Sequence, residues 1–293
     1  MTWPLDADEP LPPDTSARRG RPPAPIAAAA GLSHRAWLEP LRAFQRACGI
    51  TLDDLAQRAG FSKTRISELL RGNGYYPAWE ITSSVIRALG LPLEPMFRLW
   101  IAGAEEAGKP DGWIDRSIQQ VALQAEPAPL PYEAFTDSVR EAYTAYARAF
   151  LLADRRAALA VAETFDLLWV SWNEAVASDS LPRFAWLLLR ERVMARVHHH
   201  RGRPDLRAAA FAANKVHDDM PGHLVALSEL TRLFDAIGRL PDDQMDITVL
   251  RYLCAVPAHA IPGIVGLSKV ITHATDHHAR AALEHLLPDL TQE

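Results

Sequence analysis

An all-α fold is the reading on which three features of this 293-residue chain agree. Apolar residues recur at spacings of three and four over most of its length, strand-like alternation is nowhere sustained, and Gly, Pro or a capping Ser or Thr divides the periodic text into short helices. A hydrophobic share of 48% against 23% charged residues is enough to bury real cores, which excludes a disordered or fibrous chain, and the length suits two or three domains.

The first 32 residues hold seven prolines and one short apolar run, Ile26 to Ala30, too little to offset backbone ordering, so 1–32 predicts a flexible tail. Arg18, Arg19 and Arg21 form a basic cluster within it. From Trp37 to Ala47, the residues Trp37, Leu38, Leu41, Phe44 and Ala47 share one helical face, Arg35, Arg42 and Arg46 point outward, and Gly49 ends the helix. Thr51 caps a second helix, Leu52 to Ala59, with Asp53 and Asp54 in its first turn and Gly60 just past its end. Ser62 caps a third, Lys63 to Arg71, whose Ile66, Leu69 and Leu70 face inward before Gly72 and Gly74 close it. A fourth helix runs from near Pro77 to Leu89 and a fifth from Leu93 to about Ile101, so 33–102 forms a five-helix unit.

Glycines and prolines make 103–131 a linker with room for one helix, Trp113 to Leu123. In 132–200 a helix from Ala157 to Trp172 places Val161, Phe165, Leu168, Trp169 and Trp172 on one side, and another runs from Pro182 to about Val197. A polar hinge covers His198 to Pro204, and 201–228 connects to a last helical domain, 229–293. Helices are expected there around Leu224 to Ile237, Met245 to Leu253 and Val270 to Leu287.

The formal net charge of -5 is unevenly spread. Residues 33–102 carry nine Arg or Lys against six Asp or Glu, which gives +3, whereas 229–293 carry five against nine, which gives -4. The first region alone has a surplus that favours a polyanion. No stretch of about eighteen residues stays apolar without a charge, which excludes a spanning helix and a membrane partner. The acidic, proline-rich opening lacks the basic start of a secretory signal, and Cys48 and Cys254 stand far apart, so a cytoplasmic location is expected, with Cys48 a buried thiol.

Two short helices joined at Gly60, Phe61 and Ser62 have the dimensions of a helix-turn-helix, whose second helix enters a major groove about 12 Å wide. The second helix here leads with Lys63, Thr64 and Arg65 and also displays Ser67, Glu68 and Arg71, a mixed donor and acceptor face suited to base edges. Ser62 caps it, while Arg71 and the loop carrying Asn73, Tyr75 and Tyr76 can grip phosphates, which positions the helix without carrying sequence information. Double-stranded DNA is therefore the expected partner of these ten residues.

The text "LAQRAGFSKTRIS", followed by "PAWEITSSVIRALG", resembles the Cro/repressor-type (XRE) helix-turn-helix regulators in the version common among actinobacteria, over about residues 35 to 100. The resemblance implies a DNA-binding transcription regulator. It also implies a Gln after the cap, contacting the DNA backbone, where this chain has Leu52. Further on, "ETF" at 163–165 and "LLWVSW" at 167–172 look like the second conserved region of extracytoplasmic-function sigma factors, and the block from Leu233 to Leu287, with "LPDDQ" through "VLRYL" its most specific piece, looks like their fourth region. That likeness implies sigma-factor-like helical domains over 132–200 and 229–293, the second degenerate. Ala158, Leu159 and Ala162 replace expected polar contacts, Pro262 falls inside the support helix, and His273, Thr275 and His278 stand where cations are usual. A retained fold with sigma activity weakened or lost follows.

Metal and catalytic readings are weaker. His273 and His277 share a helical face without the Glu of a metalloprotease helix, and the cluster of His198, His199 and His200 lies in the hinge. No phosphate loop or serine elbow is present, so no enzyme, metal or cofactor is expected. The leading expectation is a homodimeric regulator whose sigma-like part serves dimerisation, partner binding or signal sensing. RNA polymerase or another transcription protein is the further partner considered. The alternatives are a working sigma factor with an added DNA-binding domain and an interaction protein that sequesters a transcription partner.

Overall fold

The computed structural model describes residues 25–119, 121, 127–206 and 220–287. The arginine cluster at 18–21 and most of the connecting segment, 207–219, lie outside the described residues. The elements are α1 (Leu32–Ala47), α2 (Leu52–Ala59), α3 (Lys63–Arg71), α4 (Trp79–Leu89), α5 (Leu93–Glu106), α6 (Asp111–Gln119), α7 (Leu130–Leu151), α8 (Asp154–Val170), α9 (Trp172–Ala177) and α10 (Leu181–Met194). A hairpin of β1 (His199–His200) and β2 (Arg203–Pro204) follows, then α11 (Met220–Ile237), α12 (Asp242–Thr248) running into a π-helical turn (Val249–Leu253), α13 (Ile261–Val265) and α14 (Lys269–Leu286). The protein is predominantly helical. The expected hinge is this hairpin instead, tightened by Arg201 and Gly202 at φ of 53° and 76°, the left-handed pair that a two-residue turn needs.

The first apolar cluster gathers α1 to α6 around the fully buried Trp37, Trp79 and Trp100. Local chemistry sets its helix ends. Thr51 and Asp54 cap α2 reciprocally, and the Ser62 hydroxyl accepts from the Arg65 amide at 3.4 Å to start α3. Helix α1 has no capping side chain of its own, so its free amides are met from a distance. Glu106, at the end of α5, accepts from the Ser33 and His34 amides at 2.9 and 3.1 Å. Gly31 permits this approach, because a Cβ there would lie 2.1 Å from the carboxylate.

Two sequence boundaries change. The expected tail ends earlier: Ala30 is buried, the Ala27 amide donates to the Arg71 carbonyl at 2.8 Å, and Arg35 donates to the carbonyls of Ala27 and Ala30. Few apolar residues are needed when backbone hydrogen bonds to a helix end do the anchoring. The expected linker also begins as core, since Trp113 stacks on Trp100 at 5.9 Å and Ile114 is buried.

A second cluster joins α7, α8 and α10 to α12, α13 and α14, with Tyr143, Tyr146 and Trp186 at its centre. Asp246 is buried among them and accepts from the Tyr146 hydroxyl at 2.6 Å, Trp186 Nε1 at 3.0 Å and Arg190 Nε at 3.1 Å. Burial pushes its carboxyl up to about 6 against the pull of Arg190 and the two neutral donors. The expected Ala157 to Trp172 helix breaks at Ser171, between α8 and α9.

Helix α8 faces both clusters. Phe165 and Leu168 belong to the second, while Leu167 is buried in the first. Glu163 accepts from the Ser33 hydroxyl at 2.6 Å and from Arg196 Nη2 at 2.7 Å, with Ser33 and Glu163 buried and the Arg196 side chain 7% exposed. Asp166 pairs with Arg98 of α5 at 2.6 Å, and burial pushes its carboxyl up to about 6 despite that guanidinium. The "ETF" residues therefore fasten α8 to α1 and into its own core.

Pro262 does not interrupt a helix. It stands in the first turn of α13, where no intrahelical amide bond is lost. A turn at Gly266 (φ 69°) leads to Ser268, whose hydroxyl accepts from the Ile271 amide at 3.2 Å and caps α14. That turn packs closely on α10, since a Cβ on Gly266 would lie 2.1 Å from the Arg183 amide nitrogen. On α14, His273 and His278 are exposed, but Thr275 is half-buried beside the buried Asp276, which accepts from Arg251, Arg280 and Tyr252. Cys48 is also corrected: it is exposed at the end of α1, while Cys254 is half-buried and its thiol is pushed up to about 11 by burial.

Candidate nucleic-acid interface

Helix α3 is held from behind and from its end. Ile66, Leu69 and Leu70 are buried in the first cluster, which leaves the opposite side of the helix to solvent. The last carbonyls of a helix have no intrahelical partner; here Arg42 of α1 donates to the Leu70 carbonyl at 3.1 Å and the Ala27 amide to that of Arg71. These two supports were not recognisable from periodicity, because Arg42 reads as an outward cation and Ala27 as tail. Gly60, at φ 73°, makes the turn from α2 and gives α3 its direction.

Of the ten expected residues, Ser62, Lys63, Thr64, Arg65, Arg71, Asn73 and Tyr75 are exposed, and Ser67 and Glu68 are half-buried on the same helix. The Arg65 guanidinium lies over the Phe61 ring at 5.4 Å, which limits its rotamers, and the residue stays exposed. Arg71 Nε donates to the Ser67 carbonyl one turn back at 3.2 Å, so its charge is anchored at the C-terminal end of α3. Lys63 Nζ meets Asp53 of α2 at 2.8 Å. Leu52, where the family resemblance implies a backbone-contacting Gln, packs half-buried against the first cluster.

Tyr76 is the exception, being 4% exposed. Its hydroxyl accepts from Trp37 Nε1 at 2.9 Å and donates to the Trp100 carbonyl at 2.5 Å, between the rings of His34 and Trp113. Adjacent residues of a loop commonly point opposite ways, and two neighbouring tyrosines do so here: Tyr75 outward at 58% exposure, Tyr76 into the core.

Other chemistry is sparse. Among the described residues no group of three or more His, Cys, Asp or Glu is placed to hold a metal ion, and no helix is long and apolar enough to cross a membrane.

A family model described as a helix-turn-helix domain matches residues 39–99, from within α1 to within α5. The chain thus carries an N-terminal helix-turn-helix domain consistent with the Cro/repressor type, a non-catalytic DNA-binding fold that points to DNA as partner and to a regulatory function. No curated protein and no solved structure matches the chain.

Proposed function

We propose that this chain is a cytoplasmic, sequence-specific transcription regulator that binds double-stranded DNA as a homodimer through α3. The observation that carries the reading is the side of α3 turned away from the core, where Lys63, Thr64 and Arg65 are exposed and Ser67 and Glu68 half-buried, on a helix capped at its start by Ser62 and held at its end by Arg42. In this reading Arg65 and Ser67 meet base edges. Glu68 supplies an acceptor, which favours the exposed amino group of cytosine. Arg71, Asn73 and Tyr75 contact phosphate. A single short helix reads few base pairs, so two-fold pairing with half-sites about 34 Å apart supplies the rest.

The part beyond residue 127 serves dimerisation, partner binding or signal sensing in this reading. That part contains a short helix, a turn and a Ser268-capped helix, α13 to α14. RNA polymerase contact through α8 is not favoured, because Glu163 is turned inward onto Ser33 and Arg196.

Titration on a selected site and on mixed-sequence duplex tests the assignment and also counts chains per site, expected to be two. Arg65→Ala should weaken the selected site by about 1 to 3 kcal/mol more than the mixed duplex. Arg71→Ala should weaken both alike and reduce the salt slope by roughly one. Equal losses for Arg65→Ala on the two DNAs would move that residue from base reading to phosphate binding.

A further inference from the structure

The head of α3 carries a cation that is already engaged. Lys63 Nζ lies 2.8 Å from Asp53 Oδ2, with the two side chains 57% and 71% exposed, so the pair stands on the surface that the reading above turns toward DNA. Asp53 is not needed to start α2. That work falls to its neighbour: the Asp54 carboxylate accepts from the Thr51 hydroxyl at 2.6 Å and the Asp54 amide donates back to Thr51 Oγ1 at 3.1 Å. These bonds hold the Asp54 carboxyl below its usual range, the hydroxyl contributing most and the Thr51 amide next. Asp53 adds a favourable charge at a helix N-terminus, a small effect at an exposed position, and it places a carboxylate where phosphates are to approach.

We infer that Asp53 is a specificity-determining residue that withholds Lys63 from nonspecific DNA. The inference rests on the DNA-binding role of α3. With the pair closed, Lys63 and Asp53 together offer a phosphate no net charge, and one counterion-release contribution is missing from sequence-independent binding. Opening the pair frees the ammonium but leaves a carboxylate beside the DNA backbone. That exchange is favourable where the duplex presents Lys63 with acceptors fixed in place, such as the O6 and N7 of a guanine, and unfavourable where it presents only phosphates. Asp53 therefore lowers binding to mixed sequence more than binding to the cognate site, which is how a difference of affinities becomes selectivity.

Asp53→Asn in the full chain, titrated with mixed-sequence duplex over a range of salt, tests this. The expected result is binding about two- to fivefold tighter at low salt, the size appropriate to an exposed ion pair, with a salt slope steeper by about 0.9 and a smaller ratio of selected to mixed affinity. Thermal stability should fall only slightly, since the Thr51–Asp54 cap is intact and the lost charge and ion pair are exposed. In a Lys63→Ala background the same substitution should give no steeper slope. An unchanged slope for Asp53→Asn, or a slope that steepens equally without Lys63, would overturn the proposal. Failure of the underlying reading looks different: the unsubstituted chain would then enrich no site from random duplexes and bind neither DNA measurably.

Discussion

His34 shows how a single side chain couples the first core to pH. Its ring stacks on Trp37 at 5.2 Å and meets Tyr76 edge-on at 4.8 Å, and its Nε2 is buried without a hydrogen-bond partner. Burial lowers its pKa from 6.5 to about 4, with Glu106 opposing and Arg35 adding to the shift. A depressed value means that the folded protein holds the ring neutral while the unfolded chain binds a proton below about 6.5. The stability associated with the neutral ring is thus complete above that pH and is lost progressively as pH falls toward 4. His34→Phe removes both the titration and the orphaned nitrogen. It should stabilise the protein by about 1 kcal/mol at pH 7, and its advantage over the unsubstituted chain should widen between pH 7 and 4.5 in thermal melts. A constant difference across that range would show that His34 does not titrate on folding. Tyr76 teaches the same lesson about residue type: its place beside Tyr75 suggested a phosphate contact, yet its hydroxyl joins two tryptophans in the core.

At the level of elements, most of what periodicity and capping could specify was legible. Thr51, Gly60, Ser62 and Gly72 stand at the ends of α2 and α3 as their chemistry requires. What escaped the sequence are interactions with no local signature: Glu106 capping α1 from the end of α5, Ala27 holding the end of α3, and Trp113 completing a core across a glycine-rich stretch. The exposed face of α3 was readable because it is the complement of a helical apolar stripe, whereas the partners of Lys63 and Arg42 depend on how helices cross. Proline needs the same care. In a helix interior Pro262 would cost about 3 kcal/mol, but it occupies the first turn of α13. Pro262→Ala should accordingly change stability by no more than about 0.5 kcal/mol in denaturant unfolding; a stabilisation near the interior value would mean that α13 begins earlier than Ile261.

On the scale of the whole molecule, α8 joins the two apolar clusters through Leu167, the hydrogen bond from Ser33 to Glu163, whose carboxylate Arg196 neutralises, and the Asp166–Arg98 pair. Glu163→Gln leaves Arg196 buried without its counter-charge, a change expected to cost about 3 to 5 kcal/mol, while adding Arg196→Met should recover part of the loss. One cooperative unfolding transition should shift in both variants. Separate transitions, with the first-cluster transition unmoved, would show that α8 does not bind the clusters into one unit.

The central claim is that α3, and not α14, reads DNA sequence. Its most direct test is selection from random duplexes by the full chain beside two variants, one with Thr64, Arg65 and Ser67 changed to Ala and the other with Lys269, His273 and His278 changed to Ala. All six side chains project from capped helices and none is buried, so both variants should fold. The account predicts that the α14 variant enriches the same motif as the unsubstituted chain and that the α3 variant enriches none. Loss of the motif in the α14 variant, with its retention in the α3 variant, would contradict it.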